Sequence, residues 1–246
     1  MATLRAKVEQ LSEGRRPLDA PTSHYLLRVL RLGVDDSFVA FDPHSKWEAA
    51  ARIVSIDGAI ATVSLSAPTP ANVTAPFDVW WIHALAKGDK LDAIVRDATE
   101  LGATRIVLAS TTRSIVKIDE KKSEKKRARW QAIAEDAARQ CGRSDPPSVE
   151  GPMPWADALA RAEAGSAKFL LYEGATDPLA PTLAKALGEK RSVSFAAGPE
   201  GGLTPEEVLA AEAGGYRSVS LGRFILRTET VCAAVLGAVR IFSDEH

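Results

Sequence analysis

Apolar and polar positions follow two different rhythms along this chain, and the change falls near residues 66–76. Before that point, residues 36–42, 47–56 and 59–66 are short β-branched or alternating stretches separated by turn residues. Asp57-Gly58 is the clearest hairpin signal among them. Ahead of these strands, residues 24–33 (HYLLRVLRLG) gather Leu26, Leu27, Val29 and Leu30 on one side and project Arg28 and Arg31 elsewhere, which predicts a helix stopped by Gly33. The front of the chain thus reads as a small β-rich domain. Residues 66–76, rich in Pro, Ala, Ser and Thr, continue neither helix nor strand and read as a linker.

After the linker, strand patterns alternate with helical ones of about ten residues or more. Strands are predicted at 77–85, 104–110, 167–174, 192–198 and 216–222, and helices at 89–102, 123–142, 155–164, 181–188, 204–215 and 228–242. Such alternation implies crossover connections and a mostly parallel sheet with helices on both faces, an α/β domain. The division expected is residues 1–72 and 73–246. The last helix is apolar on most sides, which places it in a core or a subunit interface, with Cys232 as a small packed residue.

In a parallel sheet, ligands bind beyond the carboxyl ends of the strands. Two glycine-marked loops follow predicted strands there. The first, Gly198-Pro199-Glu200-Gly201-Gly202, runs into Leu203-Thr204-Pro205-Glu206-Glu207, with Thr204 as a helix cap and Pro205 in the first turn. Its glycines would let backbone approach a ligand that a Cβ would exclude, although GPEGG alone fits an ordinary strand-to-helix turn equally well. The second loop runs from Leu221 to Thr230 and sets Arg227 and Glu229 where a helix begins, with Thr228 as its expected cap. Two such loops separated by one helix are a more specific signal than either one.

Composition narrows the picture. With 246 residues, 46% hydrophobic and 26% charged, the chain can build a large core, and a disordered, collagen-like or coiled-coil chain is excluded. The two cysteines, Cys141 and Cys232, form no CxxC pair, so reduced thiols are expected instead of a disulfide framework or a zinc site. The four histidines, His24, His44, His83 and His246, show no metal-binding spacing, and no metal is expected. The amino terminus lacks the apolar core of a signal peptide and no apolar run is long enough to cross a bilayer, so the expected location is cytoplasmic. Neither GxGxxG nor a Walker lysine is present. Trp80 and Trp81 are expected to pack in or beside the sheet, whereas Trp47 is a candidate for stacking on a base.

GPEGGLTPEE followed by LGRFILRTET resembles the carboxy-terminal signature of the ribosomal RNA small subunit methyltransferase E family, in the SPOUT superfamily. Lys87-Gly88, Glu100-Leu101-Gly102, Arg113 and the helix ending at Gln140 to Arg143 agree with it, and the front of the chain resembles the family's PUA-like domain. Phe224 and Arg139 depart from it, standing where the family usually has arginine and an acidic residue.

The resemblance implies a trefoil-knotted methyltransferase domain behind a small PUA-like β-barrel. It implies transfer of a methyl group from S-adenosylmethionine to N3 of a uridine in 16S rRNA, by a homodimer acting on the small ribosomal subunit. Carried over position by position, cofactor contacts fall on Leu171, Tyr172, Gly198, Glu200, Gly201, Gly202, Leu221, Gly222, Ile225, Leu226 and Arg227. Arg28, Arg31, Arg113 and Arg143 are candidates for the substrate side.

Removing the uracil N3 proton calls for a base, or for a cation that stabilises the developing imide anion. Arg227 is the candidate cation, and Glu229 is expected to orient it through a bidentate pair. Glu229 or Glu200 would serve as the base only with a raised pKa. Two rivals stand beside this reading: another SPOUT enzyme acting on transfer RNA or a ribose 2′-hydroxyl, and a non-catalytic RNA-binding protein of ribosome assembly.

Charge also changes meaning along the chain. The formal net charge is −1, yet residues 113–143 hold ten basic and five acidic side chains, leaving an excess of six negative charges elsewhere. Near-neutrality therefore excludes only a uniformly basic binder, and the basic stretch is compatible with phosphate contacts.

Overall fold

A computed structural model describes residues 4–114, 120–189 and 192–243. It divides into two compact units, residues 1–74 with 138–146, and residues 75–137 with 147–246. A nine-residue piece of the second half of the sequence thus packs with the first.

In the first unit, β1 (Arg5–Lys7), β3 (Ser37–Asp42), β4 (Trp47–Asp57), β5 (Ile60–Leu65) and β2 (Gly14–Pro17) lie side by side in that order, and β6 (Thr69–Pro70) pairs with β4. The Asp57-Gly58 turn joins β4 to β5, with Gly58 at φ 57°. Alternation along β5 buries Ala61, Val63 and Leu65, which meet Ala6, Leu26, Phe38 and Ile53 in one core. The strands β1 and β2 are too short for a period-2 pattern to show in sequence. The predicted helix at 24–33 lies earlier: α1 (Ala20–His24) starts on an Asp19 cap and continues as a π-helical turn over Tyr25–Val29. Arg31, at φ 58°, takes the left-handed conformation that the sequence assigns to the stop Gly33.

Residues 138–146 are held in this unit by polar contacts. Arg5 donates to Glu48 (2.8 Å) and to Ser144 Oγ (2.6 Å), and Arg139 lies over the Tyr25 ring, 4.7 Å from its centroid.

The second unit is built on one parallel sheet. Its strands are β7 (Val79–Ala84), β8 (Arg105–Ser110), β9 (Ser148–Pro154), β10 (Ala167–Leu171), β11 (Val193–Ala197) and β12 (Arg217–Val219), in the order β12-β10-β11-β7-β8-β9. Every pairing is parallel. All six residues of β7 are buried because helices cover both faces.

On one face, Val79 and Trp81 pack with α2 (Lys90–Glu100), α5 (Leu179–Gly188), α7 (Thr228–Ser243) and Trp130 and Ala134 of α3 (Glu120–Cys141). On the other, Trp80, Ile82 and Ala84 pack with α4 (Trp155–Ala160) and α6 (Pro205–Ala213). The α/β expectation is met, including the two buried tryptophans. Strand β9 has no counterpart in the sequence reading, since its Gly151, Pro152 and Pro154 argue against a strand; it is tolerated because it forms an edge. Helix α7 buries Cys232, Val235, Leu236 and Val239, and at its end Ile241 and Phe242 are exposed. Among the described residues no helix is long and apolar enough to cross a membrane.

Candidate active site

Strand order decides where the two glycine-marked loops meet. Strand β10 lies between β11 and β12, so the loops leaving β11 and β12 emerge on either side of its carboxyl end. Together they enclose a cavity of about 390 Å³, in which Leu171 and Tyr172, at the end of β10, form the middle of the wall. Gly198, Glu200, Gly201 and Gly202 line one side, and Leu221, Gly222, Ile225 and Leu226 the other. Ten of the cofactor-contact candidates are therefore brought together; the eleventh, Arg227, lies at the edge, exposed, immediately before α7.

The first loop is fixed by other parts of the protein. Thr204 caps α6, as the sequence predicts, and the structure adds Glu207, which closes a reciprocal capping box with it. The same Glu207 carboxylate accepts the backbone N–H of Thr112 (2.7 Å), linking the loop to the one after β8. Arg113 donates to the carbonyls of Gly201 (3.1 Å) and Leu203 (3.2 Å). This largely explains the glycines. A Cβ on Gly198 would lie 2.9 Å from Leu203, one on Gly201 3.3 Å from the Arg113 Cβ, and Gly202 sits at φ 71°. The sequence left ligand approach and an ordinary strand-to-helix turn equally open for these glycines; contacts within the protein already favour glycine at each of them.

Glu200 bridges the site to the region before α2. Its carboxylate accepts the Lys87 N–H (3.2 Å) and pairs with the Lys90 ammonium (3.1 Å), which also lies 3.6 Å from Glu229. Burial opposes the charge on Glu200, but its own backbone N–H, Lys90 and the Lys87 N–H outweigh it and hold the carboxyl below its ordinary value. Glu200 is thus a stable anion and lacks the raised pKa that a general base would need. Bonding to Glu200 in turn raises Lys90 above its ordinary value. The expected bidentate pair between Glu229 and Arg227 is not formed, because Glu229 turns to Lys90. Lys90 was not singled out in the sequence, where nothing marks a lysine whose partners lie more than 100 residues away.

Thr228 is not the cap of α7. The Arg227 carbonyl accepts the first helical bond, from Val231 N–H (3.0 Å), and the Thr228 hydroxyl lies 3.0 Å from His83 Nε2 and 3.3 Å from the Gly198 carbonyl. His83, at the end of β7, is fully buried. Burial pushes its pKa down to about 4, against the opposing pulls of the Ala84 carbonyl, Glu200, Thr228 and Glu229. Sequence spacing left this histidine without a partner.

The substrate-side candidates diverge. Arg113 buttresses the first loop as described. Arg28 and Arg31 are exposed in the first unit, where Trp47 is 43% exposed. Arg143 belongs to the same unit but is buried, with its guanidinium bonded to the Asp145 carboxylate (3.0 Å) and carbonyl (2.9 Å). That commits it to holding the 138–146 segment, a correction to its reading as a substrate contact. Of the basic stretch, Lys117 lies outside the described residues, as do the side chains of Lys121 and Lys122. Both cysteines are free thiols. Among the described residues, no group of three or more His, Cys, Asp or Glu side chains could hold a metal ion.

Residues 73–240 match the family described as the RNA methyltransferase domain. That defines the class: an RNA methyltransferase domain, here an α/β unit with a cavity at the carboxyl edge of its sheet. The chain is 31% identical over 220 residues to the ribosomal RNA small subunit methyltransferase E of Bacillus subtilis, covering 88% of this chain and 86% of that protein. It is 32% identical over 233 residues to the protein of that name from Synechocystis, covering 94% and 74%. The crystal structure of ribosomal RNA small subunit methyltransferase E from Neisseria gonorrhoeae, bound to S-adenosyl methionine, superposes with a TM-score of 0.87 at 27% identity over 97% of each chain. The chain belongs to the ribosomal RNA small subunit methyltransferase E family.

Proposed function

We propose that this chain binds S-adenosylmethionine in the cleft between the two loops and transfers its methyl group to N3 of a uridine in 16S rRNA. The observation that carries the reading is the convergence of Leu171, Tyr172, the Gly198–Gly202 loop and the Leu221–Leu226 loop on one cavity in a chain of this family. The residues present fit such a cofactor. Leu171, Val219, Leu226 and Val231 offer apolar walls for a nucleoside, and Glu173 and Glu200, both lining the cleft, suit a ligand carrying positive charge. Bound there, S-adenosylmethionine would supply an electrophilic methyl group on a sulfonium.

The chain's own residues would do the rest. Positioning supplies much of the rate in a displacement of this kind. With Glu200 held as an anion by Lys90, we assign stabilisation of the developing imide anion to the exposed Arg227, and to Glu229 the fixing of Lys90 beside the cleft. Arg113 buttresses the glycine loop from the side where we expect RNA. Arg28 and Arg31, exposed in the front unit, are proposed as phosphate contacts.

We further read the front unit as a PUA-like barrel, the second as a trefoil-knotted SPOUT domain, and the active species as a cytoplasmic homodimer acting on the small ribosomal subunit. The strand order, in which β12 returns beside β10 across the path of β11, supports the knot, and exposed Ile241 and Phe242 support a dimer surface on α7. Nucleoside mass spectrometry of 16S rRNA from a deletion strain tests the reaction. N3-methyluridine should disappear and return on complementation; its retention would overturn the assignment, and loss of a different methylated nucleoside would favour another RNA target.

A further inference from the structure

His83 is the buried titratable group that the reaction above does not use, and its surroundings fix which way its hydrogen bonds run. Nδ1 lies 2.8 Å from the Ala84 carbonyl, which can only accept, so Nδ1 carries the proton and donates. With the ring neutral, Nε2 then holds a lone pair and accepts from the Thr228 hydroxyl at 3.0 Å. A hydroxyl has one proton. Once it is given to Nε2 it cannot also be given to the Gly198 carbonyl 3.3 Å away. Thr228 opens α7 directly after Arg227, Gly198 opens the first glycine loop, and both line the cleft, whereas His83 sits at the end of the central strand β7.

We propose that His83 is a positioning residue of the cleft: its Nε2 captures the Thr228 hydroxyl proton, ties the start of α7 to β7, and leaves the Gly198 carbonyl to accept an N–H from the bound cofactor. The inference rests on the proposed function insofar as the ligand is S-adenosylmethionine. The charged groups facing this pair are Glu200 and Glu229, each neutralised in part by Lys90, so the pair is shielded from a bare negative field.

S-adenosylhomocysteine binding, measured by calorimetry on the full-length protein, tests the proposal without turnover. Thr228→Val keeps the side-chain shape but strips the hydroxyl, leaving Nε2 without its donor; affinity should fall about tenfold to a hundredfold. The KM for cofactor should rise by a similar factor, with kcat changed by less than about threefold. Thr228→Ser, which restores the hydroxyl, should recover most of the lost affinity.

Imidazole 15N resonances of the unaltered protein at pH 7 should show Nδ1 protonated and Nε2 bare. An Nε2–H signal would overturn the inference however the variants fold. Unaltered protein that does not bind S-adenosylhomocysteine would defeat the proposed function. Normal binding by both it and Thr228→Val would defeat this inference alone.

Discussion

The two walls of the cleft differ in how they are held. The Gly198–Glu207 wall is tied to two other segments, by Arg113 and the Thr112 N–H from the loop after β8 and by Lys87 and Lys90 at the start of α2, and it is pinned by its own Leu203, which is 4% exposed in the core beneath it. The Leu221–Leu226 wall is anchored near its ends. Ser220 exchanges backbone bonds with residues 177 and 179 at one end, and Thr228 meets His83 at the other. Between them Phe224 is 87% and Ile225 90% exposed. One wall is thus pre-formed by the protein, and the other presents apolar surface that only a ligand or a second chain would bury. A site built this way has a rigid reference surface against which a more adaptable one closes.

The sharpest way to break the contrast is to unpin the first wall. Leu203→Ala removes a buried side chain that packs with Ile82, Ala84 and Val208, and should cost about 3 kcal/mol of unfolding free energy in urea titrations. Affinity for S-adenosylhomocysteine should fall with it, because the chain at Gly198 rests on Leu203. A loss below about 1 kcal/mol would show that the wall does not depend on its core contact.

The same contrast explains what sequence could reveal. Helix caps, glycine-marked loops and the strand and helix rhythm are local patterns, and α6, the Asp57-Gly58 hairpin and the alternation from β7 to α7 were legible for that reason. So was the cleft's membership, once the residues matching the family's motifs were taken over. Pairings across the chain were not. Lys90 with Glu200, Thr112 with Glu207 and His83 with Thr228 join residues about 95 to 145 positions apart, and no spacing rule connects them. Arg143 misled because an arginine beside a helix end looks alike whether it meets phosphate or a buried Asp145. The short strands β1 and β2 fell below what periodicity can register, and the longer β9 was hidden by its Gly and Pro content, which its edge position tolerates.

A smaller effect comes from the ion pair that ties the first wall to α2. Glu200 titrates below its ordinary 4.5 in the folded protein, so its contribution is complete above that value and is lost as pH falls through the folded pKa. Lys90 titrates above its ordinary 10.5, so its contribution is complete below that value and is lost as pH rises through the folded pKa. The pair therefore stabilises fully between those two ordinary values. Lys90→Met should lower Tm slightly at pH 7, and the gap to the unaltered protein should narrow as pH falls through the folded pKa of Glu200 and its carboxylate takes up a proton. A gap that does not narrow on acidification would mean that Lys90 acts through something other than its pairing with carboxylates.

The smallest effect on stability is expected on the open wall. Phe224→Ala deletes a large aromatic side chain, a change that in a core would cost several kcal/mol, yet at 87% exposure almost no buried area is lost and the urea midpoint of the free protein should move by less than about 0.5 kcal/mol. Its consequence should appear on binding instead. Phe224 lines the cleft, so whatever burial it gains is gained when the cleft is filled, and S-adenosylhomocysteine affinity should fall several-fold in calorimetry while stability is unchanged. Leu203→Ala and Phe224→Ala would then both weaken the ligand, one by loosening the surface already in place and the other by removing the surface that closes on it. If instead Phe224→Ala lowers the urea midpoint as much as Leu203→Ala does, the second wall is as firmly held as the first, and the adaptable half of the site has to be sought elsewhere.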